Sequence, residues 1–347
     1  MEKILSSVYE KDDIYLKYYE ICSDNPPLVL IHAQGVDSES FFKVMPKLAK
    51  KYHVYAVDCY GHGGSLHDAS KYNVVDIGNA VIDFIQNEIE KPVSLLGHSS
   101  GGLIAAYVAS HSNLCRNLIL EDPPFFSSQG ERRKSTFNFV DLSTVCHEFL
   151  TQTETSDFVL YYFSHQYAWN FFPEKSREKI REKMIGIAAK FRQKNPDENL
   201  RVPFWPKAAL AGFQGMNRYD PRFGEAFYTD SFHAGILHEE LLRNIHCRTM
   251  FMKAKADVSS DGILLGALGE GDLHQVLEAL PDWNRDAIFE ACKAKAEELG
   301  KKNGWLLFPL GIALSGKGRT PGGGTDLAAM LGREETLARV RAALAAL

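Results

Sequence analysis

A chain of 347 residues, 45% apolar and 24% charged, can bury a sizeable core and is long enough for one large α/β unit with an added element, or for two units. Its formal net charge of −5 argues against a protein that works by wrapping phosphate backbones. No run of about 18 uncharged apolar residues occurs, and the start (Met1, Glu2, Lys3, Ile4, Leu5, Ser6, Ser7) has no apolar signal core, so neither a membrane span nor a secretory leader is expected.

The first third alternates short apolar runs with helix-length segments. Leu28-Val29-Leu30-Ile31, Val54-Tyr55-Ala56-Val57, Val93-Ser94-Leu95-Leu96 and Asn117-Leu118-Ile119-Leu120 read as strands buried on both faces, the pattern of a parallel α/β sheet. A helix rich in Ala, Leu and Ile follows the third run, at 102–109. From about Pro123 to Asn244 the character turns aromatic and helical, with a charged helical stretch at 174–194. Strand character returns at Thr249-Met250-Phe251-Met252.

The composition changes again near Leu268, beyond which none of the fourteen tyrosines lies. Leu273, Val276, Leu277 and Leu280 keep helical spacing between Asp272 and Pro281. Asn284 caps a second expected helix that Gly300 closes, and Leu337, Val340, Leu344 and Leu347 give a third. A Gly/Pro-rich turn at 315–324 lies between them.

Gly97-His98-Ser99-Ser100-Gly101 matches G-x-S-x-G in its proper setting, after an apolar strand and before a helix. Such a turn strains the serine, exposes its Oγ at the sheet edge and sets a helix N-terminus behind it, so Ser99 is the candidate nucleophile. The loop His32-Ala33-Gln34-Gly35 follows the first buried strand, where one oxyanion-hole N–H is supplied. By position that donor is Gln34, and the second is Ser100, the residue after the nucleophile.

His-x-Gln-Gly, then Asp58-x-x-Gly61-His62-Gly63-x-Ser65, then Gly-His-Ser-x-Gly resemble in order and spacing the α/β-hydrolase family of serine esterases and lactonases, over residues 10–265. Ala33 stands where that family usually has Gly. The resemblance implies an α/β fold with a helical cap at about 123–245 over the substrate pocket. It also implies a catalytic acid after a late strand. Asp257 occupies that place, with Asp261 and Asp122 as alternatives.

Family order runs nucleophile, acid, histidine, yet His274 is the one histidine beyond Asp257. It lies only 17 positions on, inside an expected helix, and reads as a surface residue. His98 precedes the nucleophile, His32 and His62 belong to structural turns, and His165, His233 and His238 fall in the cap without a motif. The sheet's last strand and helix are absent from the pattern, so the hydrolase reads as truncated.

The segments 308–316, 319–323 and 331–339 resemble the extreme C-terminus of bacterial glutamyl-tRNA synthetases, part of a helical anticodon-binding region, over 269–347. Gly311 stands where that family usually has Arg. From Glu270 onward the tail holds ten Lys/Arg and eleven Asp/Glu, which gives no basic face for RNA, so tRNA is at most a weak partner. Gly311 to Lys317 fits the start of a P-loop, but Gly318 offers no hydroxyl for magnesium.

The expectation is a hydrolase unit at 1–267 and an all-α unit at 268–347. The first would act on an ester-like or lactone-like small molecule, impaired by the missing histidine. The alternatives are a catalytically idle fusion of two fragments and a ligand- or tRNA-binding module. No cofactor signature and no metal-ligand set is read. Cys22, Cys59, Cys115, Cys146, Cys247 and Cys292 form no CxxC pair and read as free thiols in a reducing cytoplasm. Oligomeric state is left open.

Overall fold

The computed structural model describes residues 3–202, 212–254, 256–267, 269, 285–298, 302, 304–315 and 323–345. The helix expected at 273–280, with His274, lies outside them, as does the stretch 316–322.

A hairpin opens the chain, β1 (Leu5–Lys11) and β2 (Ile14–Ile21), turning at Asp12, whose φ of +53° is one that Asp tolerates. The sequence pattern did not reveal this hairpin, because β1 is an edge strand with only Tyr9 buried. Next come β3 (Pro27–Ile31), β4 (His53–Val57), β5 (Val93–His98), β6 (Cys115–Glu121) and β7 (Arg248–Met252). The sheet order is β1-β2-β4-β3-β5-β6-β7, parallel from β4 to β7 and antiparallel at the hairpin. All five β3 residues are buried, as expected of a strand covered on both faces.

Two helices pack against this sheet. In α1 (Val74–Phe84), Asn73 accepts the Asp76 N–H as N-cap, and Val74, Ile77, Val81 and Phe84 make the buried stripe. In α2 (Ser100–His111), every residue from Ser100 to Ala109 is buried. Its small residues let it lie close to the strands, and burying Leu103 contributes about 1.5–3 kcal/mol.

Between β6 and β7 the chain leaves the sheet as a helical insertion: α3 (Thr144–Thr151), α4 (Phe158–His165), α5 (Glu174–Lys194), α6 (Pro221–Tyr228) and α7 (His238–Arg243). Beyond β7 no further strand of the sheet follows among the described residues. The chain folds back instead: Val258 bridges Leu264, and Leu264 pairs with 135–137 of the insertion.

The tail is helical: α8 (Arg285–Glu298), α9 (Gly304–Ser315) and α10 (Gly323–Ala345), which breaks at Gly332. These helices pack on one another, with Arg285 Nε on Asp326 (2.9 Å) and Arg339 Nη1 on the Leu314 carbonyl (2.6 Å). The α8 helix also lies near β7, the last strand of the sheet. The sequence pattern missed α9. Its residues Gly311 to Ser315 are helical, which does not suit a phosphate-cradling loop.

Candidate active site

The β5 strand ends at His98, and Ser99 follows with φ +53° and ψ −119°, a backbone geometry costing on the order of 1–3 kcal/mol. The flanking glycines make the turn sterically attainable. A Cβ on Gly97 would stand 2.2 Å from the Gly101 carbonyl oxygen, and one on Gly101 would stand 2.4 Å from that of Ile31. The Ser99 N–H donates to the Glu121 carbonyl (2.8 Å), and its own carbonyl receives the Gly102 N–H (2.8 Å). Among the described residues, Ser99 Oγ has no hydrogen-bond partner.

Ile31 and Gly97 pair in the β3–β5 ladder, so the chain after each leaves the sheet at the same edge. There the backbone N–H groups of Gln34 and Ser100 have no acceptor among the described residues. The turns around them are tied together by histidines. His32 Nε2 accepts the Cys59 N–H (2.9 Å), and His62 Nε2 accepts the Gly35 N–H (3.1 Å). Burial, with His32 alongside, holds the His62 pKa well below the usual range, so it accepts as a neutral ring. Asp58 receives N–H groups from Ser38 and Gly64, both at 2.9 Å. The polar residues of the second motif thus hold the loop after β3 in place.

Asp257 is exposed, in the segment after β7, and its carbonyl accepts the Leu265 N–H (2.8 Å). Asp122 directly follows β6 with φ +46°, and its Oδ1 accepts the Ala254 N–H (3.1 Å). Asp261 is held by Tyr167 (2.7 Å) and by Ser259, whose hydrogen bonds keep its carboxyl below the usual range. Asp122 follows the strand beside that of Ser99, and neither it nor Asp257 hydrogen-bonds the serine.

The profile of the alpha/beta hydrolase family matches residues 28–234, the greater part of the chain. The chain belongs to that family. A hydrolase from Pseudomonas aeruginosa PA01 has a similar fold, with TM-score 0.54 and 14% identity, covering 79% of this chain and 86% of that one. An enol-lactonase from Burkholderia xenovorans LB400 gives 0.52 and 13%, covering 79% and 88%. The tail matches an anticodon binding domain over 271–344. It is 46% identical over 66 residues to the glutamate–tRNA ligase of Clostridium tetani (strain Massachusetts / E88). That stretch is 19% of this chain and 14% of the ligase, so the chain spans about a seventh of that relative's length.

No described histidine hydrogen-bonds Ser99 in this family member. His233 is buried, with Nδ1 on Asp230 (3.0 Å) and Nε2 on Ser128 Oγ (3.0 Å), whose hydroxyl also reaches the Pro124 carbonyl (2.7 Å). His238 Nδ1 accepts the Phe126 N–H (2.8 Å). His165 stacks on Tyr161 and bonds its carbonyl (2.8 Å). His147, overlooked in the sequence because it has no motif, pairs with Glu225 (2.9 Å). His274 lies outside the described residues.

Three consecutive residues clamp the insertion onto the loops of the sheet. Arg218 binds Asp37 (2.5 Å), the Tyr219 hydroxyl receives the Gln34 Nε2 hydrogen bond (2.8 Å), and Asp220 accepts from the Tyr72 hydroxyl (2.7 Å). No sequence motif announces these ties, which join residues more than 140 positions apart. The Gln34 side chain is also held by Asn138 (3.1 Å). A cavity of about 460 Å³ opens beside Phe126, His238 and Arg243, and none of Ser99, Gln34, Asp122 or Asp257 lines it.

Proposed function

We propose that the chain is a serine-dependent hydrolase of a small ester-like or lactone-like substrate, turning over far more slowly than a complete triad. Ser99 Oγ attacks the carbonyl carbon, and the N–H groups of Gln34 and Ser100 hold the developing oxyanion. One observation carries this reading: a strained serine with an unpartnered hydroxyl shares a sheet edge with two unpartnered backbone donors. Asp257 stands at the acid position in chain order, and Asp122 is the alternative at the end of the strand beside Ser99.

An unassisted serine hydroxyl is a weak nucleophile near neutral pH. Without a base, the oxyanion hole and substrate binding still supply about 10³–10⁴-fold over water. The test is steady-state hydrolysis of a short-chain p-nitrophenyl ester by this chain and by Ser99→Ala. Turnover that vanishes with Ser99 supports the proposal. Equal rates support the second reading, an idle scaffold, which is favoured by histidines committed elsewhere.

We assign the tail a covering role against β7 rather than a tRNA-binding one, because its acidic and basic residues balance. Retention of tRNA at low salt, lost as salt rises, would overturn that assignment. Six free thiols fit a reducing cytoplasm, and no described helix is long and apolar enough to cross a membrane.

A further inference from the structure

Glu20 lies in β2, Cys22 just beyond its end, and His53 begins β4. The antiparallel β2–β4 register pairs Ile21 with Val54, which sets Cys22 across from His53 and Glu20 two residues along on the same face. A carboxylate oxygen, a thiol sulfur and an imidazole nitrogen from these three all lie within 4.8 Å of one another. Glu20 and His53 keep side-chain exposures of only 15% and 19%, while Cys22 is open to solvent.

The orientation of the imidazole is an independent observation. His53 Nδ1 contacts the Ser23 carbonyl at 3.1 Å. A carbonyl only accepts, so Nδ1 carries its hydrogen, and Nε2 is aimed at Glu20 Oε2, 2.8 Å away. At 2.8 Å those two atoms share a proton, whose place a cation would take. A ring N–H anchored on a backbone carbonyl, with the other nitrogen turned to the ligand side, is how metal-binding histidines are held. The ring also stacks on Tyr55 (4.4 Å between centroids), which fixes its plane.

We propose that Glu20, Cys22 and His53 form a binding site for a single Zn²⁺ ion, with a water in the fourth position. Thiolate, imidazole and carboxylate together suit zinc better than magnesium or calcium, which prefer all-oxygen shells. Tetrahedral zinc with nitrogen and oxygen at about 2.0–2.2 Å needs those two ligand atoms roughly 3.4 Å apart. The present 2.8 Å therefore has to open by only about half an ångström. Coordination releases the Cys22 thiol proton, and any proton between His53 and Glu20, to solvent. In the metal-free chain, partial desolvation and the neighbouring Glu20 carboxylate raise the pKa of that thiol, and the cation offsets both.

His53 starts β4 at the end of the sheet opposite Ser99, about 16 Å away along a five-residue strand. The site is therefore separate from the hydrolase machinery, and binding rather than hydrolysis reads it. No spacing motif announces it, because Cys22 and His53 are 31 positions apart, at the ends of separate strands.

The test uses the reduced, metal-stripped full chain titrated with Co²⁺, which reports tetrahedral coordination and thiolate ligation by absorption, followed by Zn²⁺ displacement. The expected result is a thiolate-to-cobalt band saturating at one equivalent, abolished in Cys22→Ser and lost on adding zinc. His53→Ala should weaken binding by more than about tenfold. Zinc should raise the melting temperature of the parent chain and leave that of Cys22→Ser unchanged. Because Cys22 is exposed, its serine variant should fold as the parent does. A band that survives in Cys22→Ser would place the metal elsewhere, such as on the neighbouring Cys115 and Cys247 (Sγ atoms 3.7 Å apart), and overturn the proposal. Absence of any band in the parent chain would overturn it as well.

Discussion

The backbone N–H of Ser99 donates to the carbonyl of Glu121 at 2.8 Å, so the serine is held to the end of β6 although its own φ is +53°. The next residue along that strand, Asp122, is also left-handed, with φ +46°. Two consecutive strand ends thus carry strain at the same sheet edge, which is where strain is retained when a site needs it.

That strain has a measurable size. Ser99→Gly should raise stability by about 1 kcal/mol, since glycine enters this region without a Cβ clash, while Ser99→Ala should gain little. Urea unfolding midpoints of the three proteins check this. A glycine variant no more stable than the parent would mean that the turn is relaxed.

Gly101→Ala should act in the opposite direction. The added methyl meets the carbonyl oxygens of Ile31 and His32 at 2.4 and 2.5 Å, and backbone cannot swing aside as a side chain can. A loss of about 1–3 kcal/mol is expected, with Ser99 labelling by a fluorophosphonate lost as the elbow opens. Unchanged melting and labelling would refute the close packing of the Ser99 turn against the end of β3.

If an absent base limits the rate, adding one should help. Millimolar imidazole should accelerate ester hydrolysis by this chain beyond the increase seen with Ser99→Ala, which corrects for direct catalysis by the buffer. Identical increments in both proteins would show that proton removal from Ser99 is not the missing step.

His238 gives a pH dependence whose sign is fixed by burial. Burial, with His233 beside it, pushes its pKa from 6.5 down to about 3, so the folded chain favours the neutral ring. Its contribution is complete above pH 6.5 and is lost as pH falls toward 3, at up to about 1.4 kcal/mol per pH unit. In His238→Asn, whose amide oxygen can still accept the Phe126 N–H, stability should fall less steeply across that window. Denaturant melts from pH 7 to pH 4 make the comparison, and parallel curves would remove His238 as the cause.

The apolar runs at 28–31, 54–57, 93–96, 117–120 and 249–252 are strands of one sheet, and 174–194 is a helix to the residue. These elements were legible because a doubly covered parallel strand and a long charged helix each impose a local pattern. The turn at Ser99 was legible for a related reason: its glycines answer clashes set by the nearest strands.

What sequence left open depends on partners distant along the chain. The β1–β2 hairpin was hidden because an edge strand needs only one buried side chain to hold its register. The clamp of Arg218, Tyr219 and Asp220 onto Asp37, Gln34 and Tyr72 exists only once the insertion folds down over the sheet. The histidines show the division most clearly. Sequence located each of them, but which hydrogen bond each imidazole makes depends on side chains that meet only in the folded chain. Tertiary packing commits His233 to Asp230 and Ser128, gives His238 to Phe126, and turns His53 toward Glu20 and Cys22.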